Sequence, residues 1–517
     1  MCRGAALRLA RVILQGGVIR TLEPAVPTQR ALAIAGDRIA GGVGVHETAL
    51  ASPEVVDLGG RVVVPGLNDS HVHFPTWALA QTEVKLDGCG SLDEALDRIR
   101  RAERREGRWV RGFGWRSGDW APAVEPTRAR LDEVTGETPA AMVAKDYHSL
   151  WLNTAALALA DGDLEVEGGV VERDAAGEPS GILREEAAWR FKDRFMTVAE
   201  DEYIEAMRRG LRLANARGVT AIHDKDGWLD ALGLWQQLHA QGSLTLRVWQ
   251  SVPHDRLDEM RALGLRSGFG DPMLRLGYLK VFMDGTLGSR TAWMLDGSGV
   301  MITGGDELRE IVRRAAAAGF PVAVHAIGDR ANREALDAFE TTVQAWRARG
   351  LRQRVEHAQC VAPEDLPRFA KLGVACSVQF SHAPSDRDLA ERFWGDRLDG
   401  TYAFRSLLES GAVVANGSDA PIEELDPLAG IRAGVRRTVD GRDAWRPEEA
   451  LTVEQAFHAT CVAPAWLAGD ERRRGKLIPG YAADLVVLDR DPWEDLDAEV
   501  VATMVGGRWV HNAPPWD

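Results

Sequence analysis

A chain of 517 residues with 45% apolar and 27% charged side chains has an ordinary globular composition, with enough core material for one large α/β barrel and additions to it. Its formal charge of −15 excludes nucleic acid and anionic membrane as main partners, because neither is drawn to an acidic surface. Five scattered cysteines (Cys2, Cys89, Cys360, Cys376, Cys461) without a CxxC pair exclude a disulfide framework and fit reduced thiols in the cytosol. No run approaches the roughly 18 apolar residues of a membrane span. Arginines interrupt the apolar stretch at residues 5–14, which therefore reads as a strand and not as a signal-peptide core. The expectation is a soluble, cytoplasmic protein.

From about Leu7 to Val64, short β-type runs alternate with turn signals, and no helix of normal length fits. Similar runs return near the other end, at Ala483–Leu488 and Thr503–Val510. The two ends are expected to pair into one small sheet domain. Between them, strand-like runs alternate with amphipathic segments, as in βαβ units. Eight runs stand out: Val62–His73, Val219–Asp224, Leu244–Ser251, Leu276–Met283, Pro321–His325, Arg354–His357, Val374–Gln379 and Ala412–Ala415. Helices are predicted at Glu307–Ala318, Arg330–Trp346 and Pro363–Leu372. Eight such units make a (β/α)8 barrel, whose active sites lie at the C-terminal ends of the strands.

The gap after the first strand is too long for a simple connection. It is predicted to hold an insertion rich in tryptophan (Trp77, Trp109, Trp115, Trp120, Trp151, Trp189). Such a module either shapes a substrate pocket or uses its aromatics for a core of its own. The boundaries this gives are 1–62 and 476–517 for the terminal sheet domain, and 63–475 for the barrel, with the insertion at 75–200.

At the strand ends the residue types change. His71 and His73 are spaced i, i+2, so an extended backbone points both to one side. Neutral imidazole is the commonest metal ligand. His325 and His357 end the fifth and sixth strands, and Asp419 follows the eighth. Four of twelve histidines, together with an aspartate, thus converge on one barrel mouth. Lys280 sits inside the fourth strand, where burial favours its neutral amine. A neutral amine can add CO2 and become an anionic carbamate ligand. The alternative for Lys280 is a salt bridge, most simply to Asp284. The Gly-rich run Asp284–Ser289 lacks the GxxxxGK[ST] phosphate-loop pattern and reads as a flexible loop beside the metals. His46, His239, His254, His458 and His511 fall in terminal or helical segments and read as ordinary. His223, at the second strand end, is intermediate.

The motifs PGLNDSHVH (65–73), KVFMDGTLGSRTA (280–292), VHAIGD (324–329), VEHAQ (355–359), QFSHAPSD (379–386), NGSDAPIE (416–423) and GKLIPGYAADLVVLD (475–489) together resemble the amidohydrolase superfamily. The resemblance is to its YtcJ-like branch, which includes N-substituted formamide deformylases. It covers nearly the whole chain, including Gly114-Trp115, Trp120 and Pro126-Thr127.

The resemblance implies a β-sandwich built from both termini and a binuclear centre, usually zinc. His71, His73, a bridging Lys280 carbamate and Asp419 would hold one ion, and Lys280, His325 and His357 the other. It implies hydrolysis of a non-peptide C–N bond in a small-molecule amide or N-substituted formamide, and a homodimer is common among relatives. A divalent ion acidifies its water toward hydroxide near neutral pH and polarises a carbonyl. Asp419 would take the water's proton and pass it to the leaving amine. Trp115, His148, Asp284, Arg290, Gln379 and His382 are the candidate substrate contacts. Phe380 stands where the branch often has proline, and Asp146-Tyr147-His148 where a Gly-His pair is usual; both departures bear on substrate. Two alternatives remain, a one-metal aminohydrolase of a heterocycle and a non-catalytic regulator on the same fold.

Overall fold

The computed structural model describes residues 11–41, 54–102, 109–145 and 147–516. Cys2, His46 and Asp146 lie outside the described residues. Two compact units are present, Met1–Phe74 with Leu211–Asp517, and Pro75–Gly210.

In the first unit eight parallel strands pair in chain order: Leu67–Val72, Val219–Asp224, Arg247–Pro253, Leu274–Phe282, Val322–Ala326, Arg354–His357, Ala375–Val378 and Val414–Asn416. The ring is drawn together after the eighth strand, where the Asp419 N–H donates to the His71 carbonyl (2.7 Å) and the His73 N–H to that of Ala420 (2.9 Å). Gly417 allows this approach, since a Cβ there would lie 2.5 Å from His71 N. The chain thus forms a (β/α)8 barrel, as expected.

The first predicted strand is two strands. Val62–Pro65 belongs to the terminal sheet, antiparallel to Leu485–Leu488. The barrel strand begins only after Gly66, whose missing Cβ would sit 2.2 Å from Thr220 Oγ1. Period-2 alternation explains why one apolar run serves two cores. Val63, Leu485 and Val487 enter the core of the terminal sheet, while Val62, Val64, Val486 and Leu488 enter that of the barrel. Among the described residues the terminal sheet has eight strands, five from the N-terminal side and three from the C-terminal side, in one hydrogen-bonded array. A buried ion pair fastens it to the barrel, with Arg247 Nε and Nη2 donating to Asp484 at 2.7 and 2.9 Å.

The helix expected at Arg330–Trp346 is broken. It runs Asp329–Thr341 and restarts as Val343–Arg347. The Thr342 hydroxyl donates back to the Ala338 carbonyl (2.6 Å), a local bond that competes with the helical ladder.

The second unit holds a six-stranded sheet. Trp115, Trp120 and Trp151 are buried in one of its cores, with ring centroids 6.3 and 6.4 Å from Trp115. Indole N–H groups are anchored on carbonyls, Trp115 on Met142 (2.8 Å) and Trp151 on Thr127 (2.9 Å). The unit ends inside the helix Glu200–Ala216, ten residues past the boundary expected at 200. Cys89, Cys360, Cys376 and Cys461 are buried free thiols. Among the described residues no helix is long and apolar enough to cross a membrane.

Candidate metal centre

Five of the six expected ligands sit in or directly after barrel strands, and Asp419 follows the eighth within three residues of its end. His71 Nε2 lies 3.2 Å and His73 Nε2 3.6 Å from Asp419 Oδ1. Asp419 Oδ2 is 3.9 Å from His357 Nδ1. The His357 ring centroid is 4.6 Å from that of His71 and 4.5 Å from that of His325. The donor atoms of His71, His357 and Asp419 all lie within 4.8 Å of one another, which brings together residues expected on two different ions.

Two backbone positions achieve this. His357 has φ +75° and Asp419 φ +59°, left-handed conformations that cost energy for residues with a Cβ. In a regular strand His357 would face away from Glu356's neighbours on the inner side. The turned backbone brings its ring round to the other histidines. Strain is concentrated where ligands are aimed.

A further set of side chains fixes the imidazoles. His71 Nδ1 donates to Glu356 Oε2 (2.7 Å), and His73 Nδ1 to Asp226 Oδ1 (2.6 Å). Each ring therefore leaves Nε2 as the free donor atom, an arrangement typical of metal-ligating histidines. Glu356 is itself held by Lys225 Nζ (2.7 Å) and by Arg354 Nε (2.7 Å), and Lys225 also reaches Tyr278 Oη (2.8 Å). Burial and Lys225 push the His71 imidazolium down despite its carboxylate partners. Burial takes His325 to about 3 and His357 well below its ordinary value. At His73 burial is outweighed by Asp226, and the value rises. Burial works against the Asp419 carboxylate, yet His71, then His357 and His73, hold it well below the usual range.

Lys280 Nζ is buried without a hydrogen-bond partner, lying 4.5 Å over the Phe282 ring. Burial lowers its pKa to about 8. The salt bridge to Asp284 does not form. The Asp284 carboxylate accepts the N–H groups of Ile327 (3.0 Å), Gly328 (2.8 Å) and Trp293 (2.9 Å), and His325 Nε2 is 3.6 Å away. Asp284 is thus a buried loop anchor, which corrects its assignment as a substrate contact. The run Asp284–Ser289 is cross-linked by side-chain hydrogen bonds. Thr286 Oγ1 bonds Ser289 Oγ (2.9 Å), and the Thr286 N–H donates to Thr291 Oγ1 (3.0 Å).

The other expected contacts divide. Gln379 Oε1 accepts from His357 Nδ1 (2.9 Å), and His382 Nδ1 is 3.0 Å from Gln359 Nε2. Gln379 Nε2 and His382 Nε2 are buried and unpartnered. Arg290 is exposed, its guanidinium 5.7 Å from the Phe393 ring. Trp115 and His148 belong to the second unit. Trp115 is packed in that unit's core, which corrects its assignment as a substrate contact. His148 Nδ1 bonds Glu185 (2.7 Å) and its ring meets Trp189 edge-on. His223 lies under the centre, 2.8 Å from Arg354 Nη1.

The donor set fits divalent metal. Two Nε2 atoms and a carboxylate converge, the second nitrogen of each ring is engaged, and an uncompensated amine lies buried beside them. Glu356, Asp226 and Lys225 were not singled out from sequence. The period-2 relation of Arg354 to Glu356 on one strand face was the signal available.

A family model described as the amidohydrolase family matches residues 54–511. The chain is 31% identical to protein LONG AFTER FAR-RED 3 of Arabidopsis thaliana, covering 97% of this chain and 92% of that protein. It is 29% identical both to the amidohydrolase YtcJ of Bacillus subtilis, over 97% and 99% of the two chains, and to an N-substituted formamide deformylase of Arthrobacter pascens, over 95% and 96%. An uncharacterized metal-dependent hydrolase from Pyrococcus furiosus superposes with a TM-score of 0.76 at 28% identity, covering 94% of this chain and all of that one. With its barrel, its ring of histidines around Asp419 and a match over most of its length, the chain belongs to the amidohydrolase family.

Proposed function

We propose that this protein hydrolyses a non-peptide C–N bond, in an amide or N-substituted formamide, with divalent metal held by His71, His73, Lys280, His325, His357 and Asp419. The observation that carries the reading is the approach of His71 Nε2 and His73 Nε2 to one Asp419 oxygen beside the unpartnered Lys280 amine. When bound there, zinc or a similar ion supplies Lewis acidity toward water and a carbonyl oxygen. Lys280, deprotonated more readily than an ordinary lysine, would add CO2 at Nζ with loss of a proton and so offer anionic oxygen to metal.

The remaining chemistry belongs to side chains. Glu356 and Asp226 keep both HxH rings in the tautomer with Nε2 free. Asp419 accepts a proton at Oδ2 and returns it to the departing amine. The N–H groups of Gln379 Nε2 and His382 Nε2 need acceptors, and polar atoms of a substrate supply them. Trp228, 47% exposed, stands 5.5 Å from Phe282, which is 5.1 Å from His325. This aromatic row offers surface for an apolar substituent on the acyl or amine side. The reading takes a small molecule as substrate in the cytoplasm, with no nucleic acid or membrane partner.

The experiment is a panel of amides and N-substituted formamides assayed for amine release by metal-loaded protein. The expected result is release that stops on chelation and returns with zinc. Ammonia release from heterocycles by protein carrying one metal per chain would favour the aminohydrolase alternative. Absence of bound metal together with no turnover would overturn the proposal.

A further inference from the structure

The metal ligands occupy the C-terminal ends of the barrel strands. At the opposite end a cavity of about 270 Å³ opens, and five arginines line it: Arg38, Arg247, Arg275, Arg473 and Arg474. Arg247 opens the third barrel strand and Arg275 is the second residue of the fourth. Arg473 and Arg474 follow the last helix, and Arg38 begins a strand of the terminal sheet.

The acceptors around this cavity are already used. Arg247 spends Nε and Nη2 on Asp484 and Nη1 on the Pro272 carbonyl (3.0 Å). Arg474 gives Nε (3.0 Å) and Nη2 (2.9 Å) to Asp470 Oδ2, and Arg275 Nη2 donates to that same oxygen. Asp271 is occupied by His239 Nε2 (2.5 Å) and by the N–H groups of Met273 (2.7 Å) and Leu274 (3.1 Å). Asp37 is exposed, 3.5 Å from Arg38 Nε. Among the described residues, Arg275 Nε and Nη1, Arg474 Nη1 and the whole head of Arg473 have no acceptor.

An interlock between barrel and terminal sheet explains the Arg247–Asp484 pair. It does not explain a buried guanidinium, Arg474, and a half-buried one, Arg275, sharing one carboxylate oxygen at the wall of an open cavity, with a third guanidinium at its rim. Burial pushes both Arg275 and Arg474 below the ordinary arginine value, and neighbouring guanidiniums add to this against the pull of Asp470. Five arginines outnumber the three aspartates that line the cavity, Asp37, Asp271 and Asp470, and the donors left without an acceptor belong to three of those arginines.

We propose that this cavity binds a small phosphoryl anion, either inorganic phosphate or the phosphate group of a small ester. A tetrahedral oxyanion presents several oxygens to guanidinium forks, which are suited to such acceptors. Because it binds the folded state alone, the anion stabilises the protein by mass action.

The test uses metal-loaded full-length protein at constant ionic strength, with inorganic phosphate and glycerol phosphate as separate probes, read by calorimetric titration and by the unfolding temperature. Saturable binding is expected, weakened by about tenfold or more in Arg473→Glu and Arg473→Ala/Arg38→Ala, as loss of charge-assisted bonds requires. Arg473 and Arg38 are exposed and lie outside the Asp470 and Asp484 pairs, and far-UV circular dichroism of each variant checks that it folds. Tighter binding of glycerol phosphate than of phosphate assigns the site to an ester, and the reverse assigns it to the free ion. Stabilisation that chloride reproduces, or binding unchanged in Arg473→Glu and therefore located at the metal centre, overturns the proposal.

Discussion

The carboxylate behind a ligand matters as much as the ligand at this centre. Asp226 Oδ1 accepts from the far nitrogen of His73, so Asp226→Asn keeps the shape while reversing part of the hydrogen bonding. Metal affinity should fall by about 10–100-fold, measured by competition with a chromophoric chelator, with the far-UV circular dichroism unchanged. Lys280→Ala should lower the bound metal, counted by elemental analysis, and bicarbonate should promote metal loading of wild-type apo-protein but not of the variant. Equal loading with and without bicarbonate would remove the carbamate from the account. The proposed ligands stand out in the sequence because they are chemically conspicuous residues at strand ends. Their supports do not. Glu356 looks like any polar residue in a strand until the fold sets it beside His71, and Asp284 looks like a site residue until its carboxylate is found capping three amides.

At the scale of elements, the eight barrel strands were legible because a buried parallel strand is a short β-branched run between turn signals. Pairing across the chain was not. Val62–Val64 reads as the start of the first barrel strand, yet Gly66 lets the backbone leave one sheet and enter another. The break at Thr342 was equally hidden, because a hydroxyl's preference for Ala338 leaves the apolar period intact. The Arg247–Asp484 pair that fastens the sheets gives a test. Burial raises the Asp484 carboxyl, Arg247 together with Arg474 and the Gly506 N–H more than offsets this, and the net value is lowered. A depressed folded value means that the pair stabilises fully above about 3.9, the unfolded aspartate value, and loses that contribution as pH falls through the folded value. Asp484→Asn should therefore cost about 3–5 kcal/mol near neutrality, since it leaves Arg247 buried without its charge partner. Its acid unfolding curve should also be flatter than that of the wild type. A denaturant titration repeated across the acid range measures both.

For the whole molecule, the proposed ligands come from five of the eight barrel strands, so an ion bound by them would link distant parts of the ring. Removing metal should lower the unfolding temperature by an amount that depends on free metal concentration, as binding to the native state requires. Calorimetry across a metal buffer series checks this, and an unfolding temperature indifferent to metal would argue against the centre as a cross-strand clamp. The unit Pro75–Gly210 shows the limit of composition as a guide. Its tryptophans left a substrate pocket and a core of its own both open, and Trp115, Trp120 and Trp151 form an interior. A large aromatic promises buried area wherever it falls, and the sequence alone does not say which interior receives it.

The pairing of Val62–Pro65 with Leu485–Leu488 also constrains how the protein is made. A ribosome releases the first of these strands long before the second exists, so during synthesis the nascent chain carries an unpaired apolar strand edge, the kind of surface that invites wrong partners. The strand bearing His71 is joined to that edge by a single glycine. Final seating of the metal ligands is thus tied to arrival of the last strands, which makes stalled or truncated products natural clients for chaperones before they can acquire metal.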